Sequence, residues 1–404
     1  MIMHVHNKKK VFILKVVNAI IELFYLPGKI FAKKPELLNL SPKKILLIRI
    51  DHIGDVVMTS PAFTVIRTRF PDAEIILLTD SVGKQLFEKD PRLNKVIAFN
   101  WPWVHQKKNN RFTYKKLKEL YKLVVMLRQE RIDIMVDFRG DLRFVVLFGI
   151  TIGAKTRVSN SRCGQSSLLQ HISFYDVSKH EVNRSLDVVR CFGKLDGESK
   201  TQVFLEHQEI DSIKRKIESI TGNSFSSRLV IIAPYSSKDV KSWPVSYFRE
   251  VIQYLGGNGY DVIVVGTPDD EEDSKRMIKG ISGSVYSFAG RTSICELAAL
   301  VSVSQLVVGV DTGVLHIASC FPVPIIAIFG STRSVEFRPY SNLAIVLETK
   351  TCKCNQFLHD KCDFSKEGYA SCLIEVKPVS VIKTINDIFP KNPLIIDEYR
   401  MPNL

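Results

Sequence analysis

The chain has 404 residues, more than one hydrophobic core usually serves, so two domains are expected. Hydrophobic residues at 45%, with ordinary glycine and proline contents, exclude a disordered or fibrous chain. The 56 basic against 42 acidic side chains give a net charge of +14, which favours anionic partners: nucleic acid, a phospholipid surface, or phosphorylated small molecules and glycans.

The first segment, "NKKKVFILKVVNAIIELFYLPGKIFAKKPE", is an apolar stretch between two basic flanks. Lys15 and Glu22 interrupt it and Pro27-Gly28 ends it, so it falls short of a spanning helix, and no small-residue cleavage site follows. Two readings stay open: an amphipathic helix lying on an anionic membrane face, or a helix packed on the protein's own body.

From residue 44 strand and helix signals alternate. "KILLIRI" (44–50) is a continuous apolar run of the kind buried on both faces of a parallel sheet. A helical stretch then reaches about Phe70, with Pro61 either starting a new helix or kinking one already begun. "PDAEIILLTD", "NKVIAF" and "IDIMVDF" supply further strands, and 112–130 reads as a basic helix. A polar, irregular stretch after about residue 157 leads to a helix near 180–195. A second alternating series begins at "RLVIIAPY" and runs through "YDVIVVGT", "QLVVGVDTG" and "VPIIAIFGS". The rhythm predicts two Rossmann-like, doubly wound parallel-sheet domains, with ligands at the carboxyl ends of strands and a cleft between the domains. The expected organisation is an amino-terminal segment (1–40), a first domain (41–200), a linker region (201–225) and a second domain with a cysteine-containing tail (226–404).

No G-x-G-x-x-G follows a strand and no G-x-x-x-x-G-K-[ST] occurs, which removes most of the case for dinucleotide enzymes and P-loop NTPases. "GGNGYD" (256–261) reads as a helix-ending glycine turn.

In "VGVDTGVLHIAS" a buried strand ends at Val310 and Asp311-Thr312-Gly313 turn directly into a helix carrying His316. Asp311 or Thr312 can cap that helix, Gly313 allows close approach to the backbone, and the exposed N–H groups suit a phosphate or diphosphate. Taken alone such a turn is more often a capped helix and nothing else. "APYSSKDVKSWPVSYF" repeats the geometry, with Ser236, Ser237, Lys238 and Lys241 in a loop before a helix for which Pro244 suits the first position. After "VIVVGT", Asp269 or Asp270 can accept from ribose hydroxyls, or simply enrich a helix's first turn in acid. In "RIDHIGDVVMTSPA", Asp51, Gly54 and Asp55 sit at the tip of the first strand–helix turn, where a purely structural chain would use Asp51 as a cap.

Together these motifs resemble those of glycosyltransferase family 9, the ADP-heptose:lipopolysaccharide heptosyltransferases. "RIDHIGDVVMTSPA", "DFRGDLRFVVLFGITIGAKTRV", the H-x-x-x-R of His180 and Arg184, "KSWP", "GRTSICELAALV", "VDTGVLHIAS" and "IFGSTRSVEFRPY" occur in the family's order between about residues 44 and 376. The resemblance implies a GT-B fold, acceptor contacts in the first domain, a nucleotide-sugar in the second, and inverting transfer without a metal. It makes Asp55 the general base and leaves Asp51 to cap or orient the loop. His52, Gly54 and Arg143 join it as acceptor-side candidates, and Ser236, Ser237, Lys241, Asp269, Asp311, Thr312, Gly313 and His316 form the donor set. No cofactor is required on this reading, an ADP-sugar being the donor substrate.

The "FNWPWVHQKKNNRF" loop (99–112) matches no family pattern. Trp101 and Trp103 with their basic neighbours form either an acceptor-side surface for a phosphorylated glycolipid or an ordinary basic loop with partly buried tryptophans. Eight cysteines do not make a secreted disulfide framework, and a reducing cytoplasm is the expected setting. Cys352, Cys354, Cys362 and Cys372 in the tail suggest a structural knot, by metal or disulfide, although C-x-C with long later gaps is not a standard zinc spacing.

The leading expectation is heptosyl transfer from ADP-heptose to a lipopolysaccharide core acceptor, by an enzyme peripheral on the cytoplasmic face of the inner membrane and without a nucleic-acid partner. The alternatives are the same fold with another nucleotide-sugar or glycan acceptor, and a non-catalytic sugar-nucleotide-binding assembly protein.

Overall fold

The structure, a computed structural model, describes residues 37–101, 113–162, 168–193, 200–225, 228–349 and 368–390, with a few isolated positions besides. The basic–apolar–basic segment 8–34 lies almost wholly outside the described residues, as do Trp103, Cys352 and Cys354.

The first unit is built on six strands: β1 (Lys44–Ile48), β2 (Glu74–Thr79), β3 (Lys95–Ala98), β4 (Ile134–Asp137), β5 (Thr156–Asn160) and β6 (His171–Ser173). They form one parallel sheet in the order β3-β2-β1-β4-β5-β6. The helices between them are α1 (Ile53–Arg69), α2 (Ser81–Phe87), α3 (Tyr114–Gln129) and α4 (Glu181–Val189). Central strands are apolar on both sides because helices cover both faces: Ile45, Leu46, Leu47 and Ile48 are all fully buried.

Chain order reverses between β1 and β4, so the turns following these two strands open at one topological switch point, the usual ligand position in such a sheet. Of the two readings of Pro61, the start of a new helix is excluded. The proline lies inside α1, which is continuous from Ile53 to Arg69. Trp101 belongs to the core: it is 1% exposed and packs edge-on against Phe144 at 5.3 Å, which rules out its reading as an acceptor-side surface residue.

The second half of the chain repeats the plan. After α5 (His207–Thr221) come β7 (Leu229–Ala233), α6 (Val245–Gly257), β8 (Asp261–Val264), α7 (Glu271–Ile278), β9 (Val285–Ser287), α8 (Ile294–Ser302), β10 (Leu306–Val310), α9 (Gly313–Ala318), β11 (Ile325–Phe329), α10 (Ser334–Phe337), β12 (Ala344–Glu348) and, near the end, α11 (Pro378–Ile388). The parallel sheet runs β12-β11-β10-β7-β8-β9, which is the first sheet's topology over again, with its switch point between β7 and β10. Gly309 lets these strands approach: a Cβ there would lie 2.5 Å from the Ala233 carbonyl oxygen. Trp243 anchors the loop before α6, its Nε1 donating to the Val376 carbonyl at 2.8 Å and its ring edge-on to Phe248. Pro244 is the N-cap of α6 and not its first helical residue, one position short of the expectation.

By packing, the first unit comprises residues up to Glu209 together with Ile294–Ala298 and Val335–Ser341, and the second comprises the remainder. The stretch 335–341 therefore packs with the first unit although its chain neighbours on both sides, Ser334 and Asn342, belong to the second. Among the described residues no helix is long and apolar enough to cross a membrane.

Candidate active site

At the switch point of the first sheet the sequence places an arginine at the end of an apolar strand. Arg49 is 2% exposed, and a guanidinium so buried needs carboxylates around it. Its Nη2 lies 3.1 Å from Asp55 Oδ1, 2.9 Å from Glu181 Oε1 and 3.7 Å from Asp51 Oδ2, while Nη1 donates to the Phe138 carbonyl at 3.1 Å. One nitrogen thus serves three acids.

The acids differ in what else they hold. Asp51 pairs with Arg139 Nη1 at 2.7 Å and accepts from the His52 backbone N–H at 3.1 Å. Arg139 and Arg49 hold its carboxyl below the ordinary range against the cost of burial. Asp51 does not cap α1: the N-cap is His52, and no side chain closes that end. Its part is to orient the loop. Glu181 is likewise held down by Arg49 and by Arg184, whose Nε donates to Oε2 at 2.8 Å.

Asp55 has only its share of Arg49. Burial, then the neighbouring Asp51, push its carboxyl up to about 7, in spite of Arg49. Its side chain remains 21% exposed, so a substrate hydroxyl can reach it. A carboxylate half-ionised near neutral pH and open to solvent on one side is suited to taking a proton.

The network extends along α4. Arg184 Nη1 pairs with Glu336 Oε2 at 2.7 Å, and His180, N-cap of α4, accepts from the Val182 N–H at 3.2 Å while its Nε2 meets the Arg338 carbonyl at 2.8 Å. Burial lowers the His180 pKa to about 4, so it is a neutral, structural histidine. The H-x-x-x-R pair thus fastens the 335–341 stretch beside the acid cluster.

The turn after β4 supplies Arg139. Asp137, fully buried, accepts from the backbone N–H groups of Arg139 (3.1 Å) and Asp141 (3.0 Å). Gly140 between them has φ +67°, and a Cβ there would lie 2.0 Å from Asn160 Oδ1, so this turn requires glycine. Arg143 is bound to Asp141, Nε to Oδ1 at 2.9 Å, with its side chain 44% exposed at the edge of the cluster. Gly54 is buried in the first turn of α1 and His52 is exposed.

The second sheet's switch point is electrostatically settled. Asp311 Oδ2 and Lys241 Nζ pair at 2.6 Å, and Lys241, with His316 helping, holds the Asp311 carboxyl down despite burial. Ser236 Oγ donates to the Asp311 carbonyl at 3.5 Å, and Ser237 beside it is exposed. Thr312 is the N-cap of α9 without a side-chain cap bond, so neither Thr312 nor Asp311 closes that end, and Gly313 is its first residue. His316 is buried in the same helix, 5% exposed. Asp270 accepts from both the backbone N–H and the hydroxyl of Thr267 at 2.7 Å in a capping box, and Asp269 beside it is exposed.

Sequence reading missed Arg49, Arg139, Glu181 and Glu336. The available signal for Arg49 was a lone charge closing "KILLIRI". In the tail, Cys372 is buried and Cys362 partly buried, and among the described residues no group of three or more His, Cys, Asp or Glu side chains is placed to hold a metal ion.

Residues 120–367 match the model of glycosyltransferase family 9 (heptosyltransferase), a stretch that begins after Asp55. Lipopolysaccharide heptosyltransferase 3 of Escherichia coli is 24% identical over 297 residues, 72% of this chain and 84% of the relative. Lipooligosaccharide heptosyltransferase 2 of Campylobacter jejuni is 24% identical over 351 residues, 85% of this chain and 97% of the relative. Among solved structures, a family 9 glycosyltransferase from Veillonella parvula superposes with a TM-score of 0.72 at 22% identity, covering 88% of this chain and 98% of its own. An E. coli heptosyltransferase solved with ADP gives 0.65 at 17% identity over 85% of this chain and 99% of its own. With this fold, the GT-B arrangement of two Rossmann-like domains, and with more than half its length matched, the chain belongs to glycosyltransferase family 9 and is a glycosyltransferase.

Proposed function

We propose that this enzyme transfers heptose from ADP-heptose to a lipopolysaccharide core-type acceptor, with inversion at the anomeric carbon and no resident metal. The relatives' names supply the substrate class. The observation that carries the chemistry is Asp55, a partly open carboxylate raised to about 7 at the first sheet's switch point.

In this mechanism Asp55, ionised, accepts the acceptor hydroxyl's proton as that oxygen bonds to the anomeric carbon. The bond from that carbon to the diphosphate oxygen breaks on the opposite face, through an oxocarbenium-like transition state. The diphosphate's growing charge is met at the second sheet's switch point by Lys241, the hydroxyls of Ser236 and Ser237, and the Thr312–Gly313 backbone. Lys241 arrives there oriented by Asp311, so it is preorganised and not a loose surface cation. Asp269, exposed after β8, accepts from the ribose hydroxyls on this reading, as carboxylates do in nucleotide-binding sheets.

A non-catalytic binding protein has no use for a crowded, half-neutral carboxylate, which costs stability wherever it ionises. The deciding experiment incubates purified protein with ADP-heptose, ADP-glucose and UDP-glucose and a heptose-deficient lipopolysaccharide acceptor, reading product mass. A heptose-sized mass increase from ADP-heptose alone, formed at least about 100-fold more slowly by Asp55→Asn, is expected. A hexose increment, or undiminished transfer by Asp55→Asn, contradicts the proposal.

A further inference from the structure

The helix α3 (Tyr114–Gln129) carries an outer face that the core does not need. Leu120, Leu123 and Leu127 hold its inner side in the first unit's core. On the opposite side Tyr114 is 82% exposed, Leu117 50%, Tyr121 70% and Val125 37%. Their spacing of three, four and four residues puts all four on one stripe along the helix. A stripe of this length left in water is unusual for a surface helix, whose outward positions are normally polar.

The charges beside the stripe have one sign. Lys115, Lys118, Lys122 and Arg128 are exposed. At 100° per residue, Lys118, Lys122 and Lys115 fall on one flank of the stripe and Arg128 near its other border. The single acid of the helix, Glu119, is spoken for by Lys116 at 3.0 Å. Two tyrosines have ring bodies for an apolar layer and hydroxyls for a wet one, and lysines beside them reach outward with their stems along apolar surface.

We infer that this face of α3 is a docking surface for an anionic phospholipid bilayer, lying flat in the headgroup layer with Tyr114, Leu117, Tyr121 and Val125 inserted and Lys115, Lys118, Lys122 and Arg128 against lipid phosphates. Charge complementarity selects this occupant: a second copy would set four cations against four, and an ordinary protein partner would have to offer an acidic rim around an apolar groove. The net charge of +14 works in the same direction. The surface is separate from the acid cluster around Asp55 and does not depend on which sugar is transferred.

The test uses the full chain and vesicles of phosphatidylethanolamine with phosphatidylglycerol, against phosphatidylcholine vesicles. Binding is expected only to the anionic vesicles and should weaken with salt. Each lysine near such a surface contributes about 1 kcal/mol, so Lys118→Glu/Lys122→Glu should weaken binding by about 30-fold or more. Tyr121→Trp should report insertion directly, through added emission that brominated acyl chains quench. Turnover of a soluble, lipid-free acceptor should be unchanged in the charge-reversed variant. Unaltered vesicle binding with no quenching at position 121 overturns the inference. So does an equal loss on the lipid-free acceptor, which would make the face a glycan-phosphate site, or a loss of self-association in place of vesicle binding, which would make it a contact between copies.

Discussion

The two sheets share one topology and place carboxylates at the same switch point, yet their electrostatics are opposite. In the second, Asp311 and Lys241 stand one to one at 2.6 Å and the acid is held ionised. In the first, Asp51, Asp55 and Glu181 divide one Nη2 of Arg49, and Asp55, which lacks the second arginine that pairs with each of the other two, is left near 7. A satisfied pair holds a shape for a ligand. An unsatisfied acid can exchange a proton. On the proposed mechanism, binding and chemistry are separated by how many acids compete for one arginine.

Breaking the unsatisfied side should have the largest effect. Asp55→Asn keeps size but cannot take a proton, and turnover should fall by about 10²–10⁴, with donor affinity by calorimetry almost unchanged.

Breaking the satisfied side should act on binding and stability together. Lys241→Ala removes a charge-assisted contact worth about 1.5–3 kcal/mol and should weaken donor binding by at least about 10-fold. It also leaves Asp311 buried without its cation, so melting temperature should drop, and adding Asp311→Asn should restore the melting temperature but not the affinity. Unchanged donor affinity in Lys241→Ala would remove that residue from the site.

Asp51→Asn sharpens the comparison. Asparagine caps helices about as well as aspartate, but Asp51 is not a cap; it is buried itself and the partner of half-buried Arg139. The substitution should cost stability while leaving more activity than Asp55→Asn. Loss of turnover in Asp51→Asn with Asp55→Asn active would exchange their roles. A subtler change is Glu181→Gln, which gives Asp55 a larger share of Arg49 and should move the acidic limb of the pH–rate profile to lower pH. A limb that stays in place would mean Glu181 only packs.

The smallest effect is one of stability. Because the folded-state pKa of Asp55 is raised above its unfolded value, its ionisation penalises the fold as pH rises through about 7 and does nothing below the unfolded value. Asp55→Asn should therefore gain stability at pH 8, by about 2–4 °C if the gain is about 1 kcal/mol, and none at pH 4. A thermal melt at both values checks this.

Much of this was legible in the chain. Strands buried on both faces are written as continuous apolar runs, so "KILLIRI", "RLVIIAPY" and "QLVVGVDTG" announced the two sheets, and the loops after them announced the switch points. Local signals failed where a distant partner decides. Whether Pro61 began a helix or lay within one could not be read locally, and it sits in the middle of α1. Trp101 lay in a basic loop and turned out to be core because Phe144 receives it. Nothing local in "SVEFRPY" says that Glu336 will pair with Arg184 across 152 positions, and so the network behind Asp55 was invisible.

The most direct measurement of the central claim is kcat/KM against pH between 5 and 9 for the wild type and Asp55→Asn, with the same donor and acceptor. The account predicts that wild-type activity rises with pH through a single ionisation near 7, and that the small residual activity of Asp55→Asn shows no such limb. A limb near 7 that persists in Asp55→Asn, or a wild-type limb near 4, would contradict it, because the proton would then be taken by another group or by an aspartate that Arg49 keeps fully ionised.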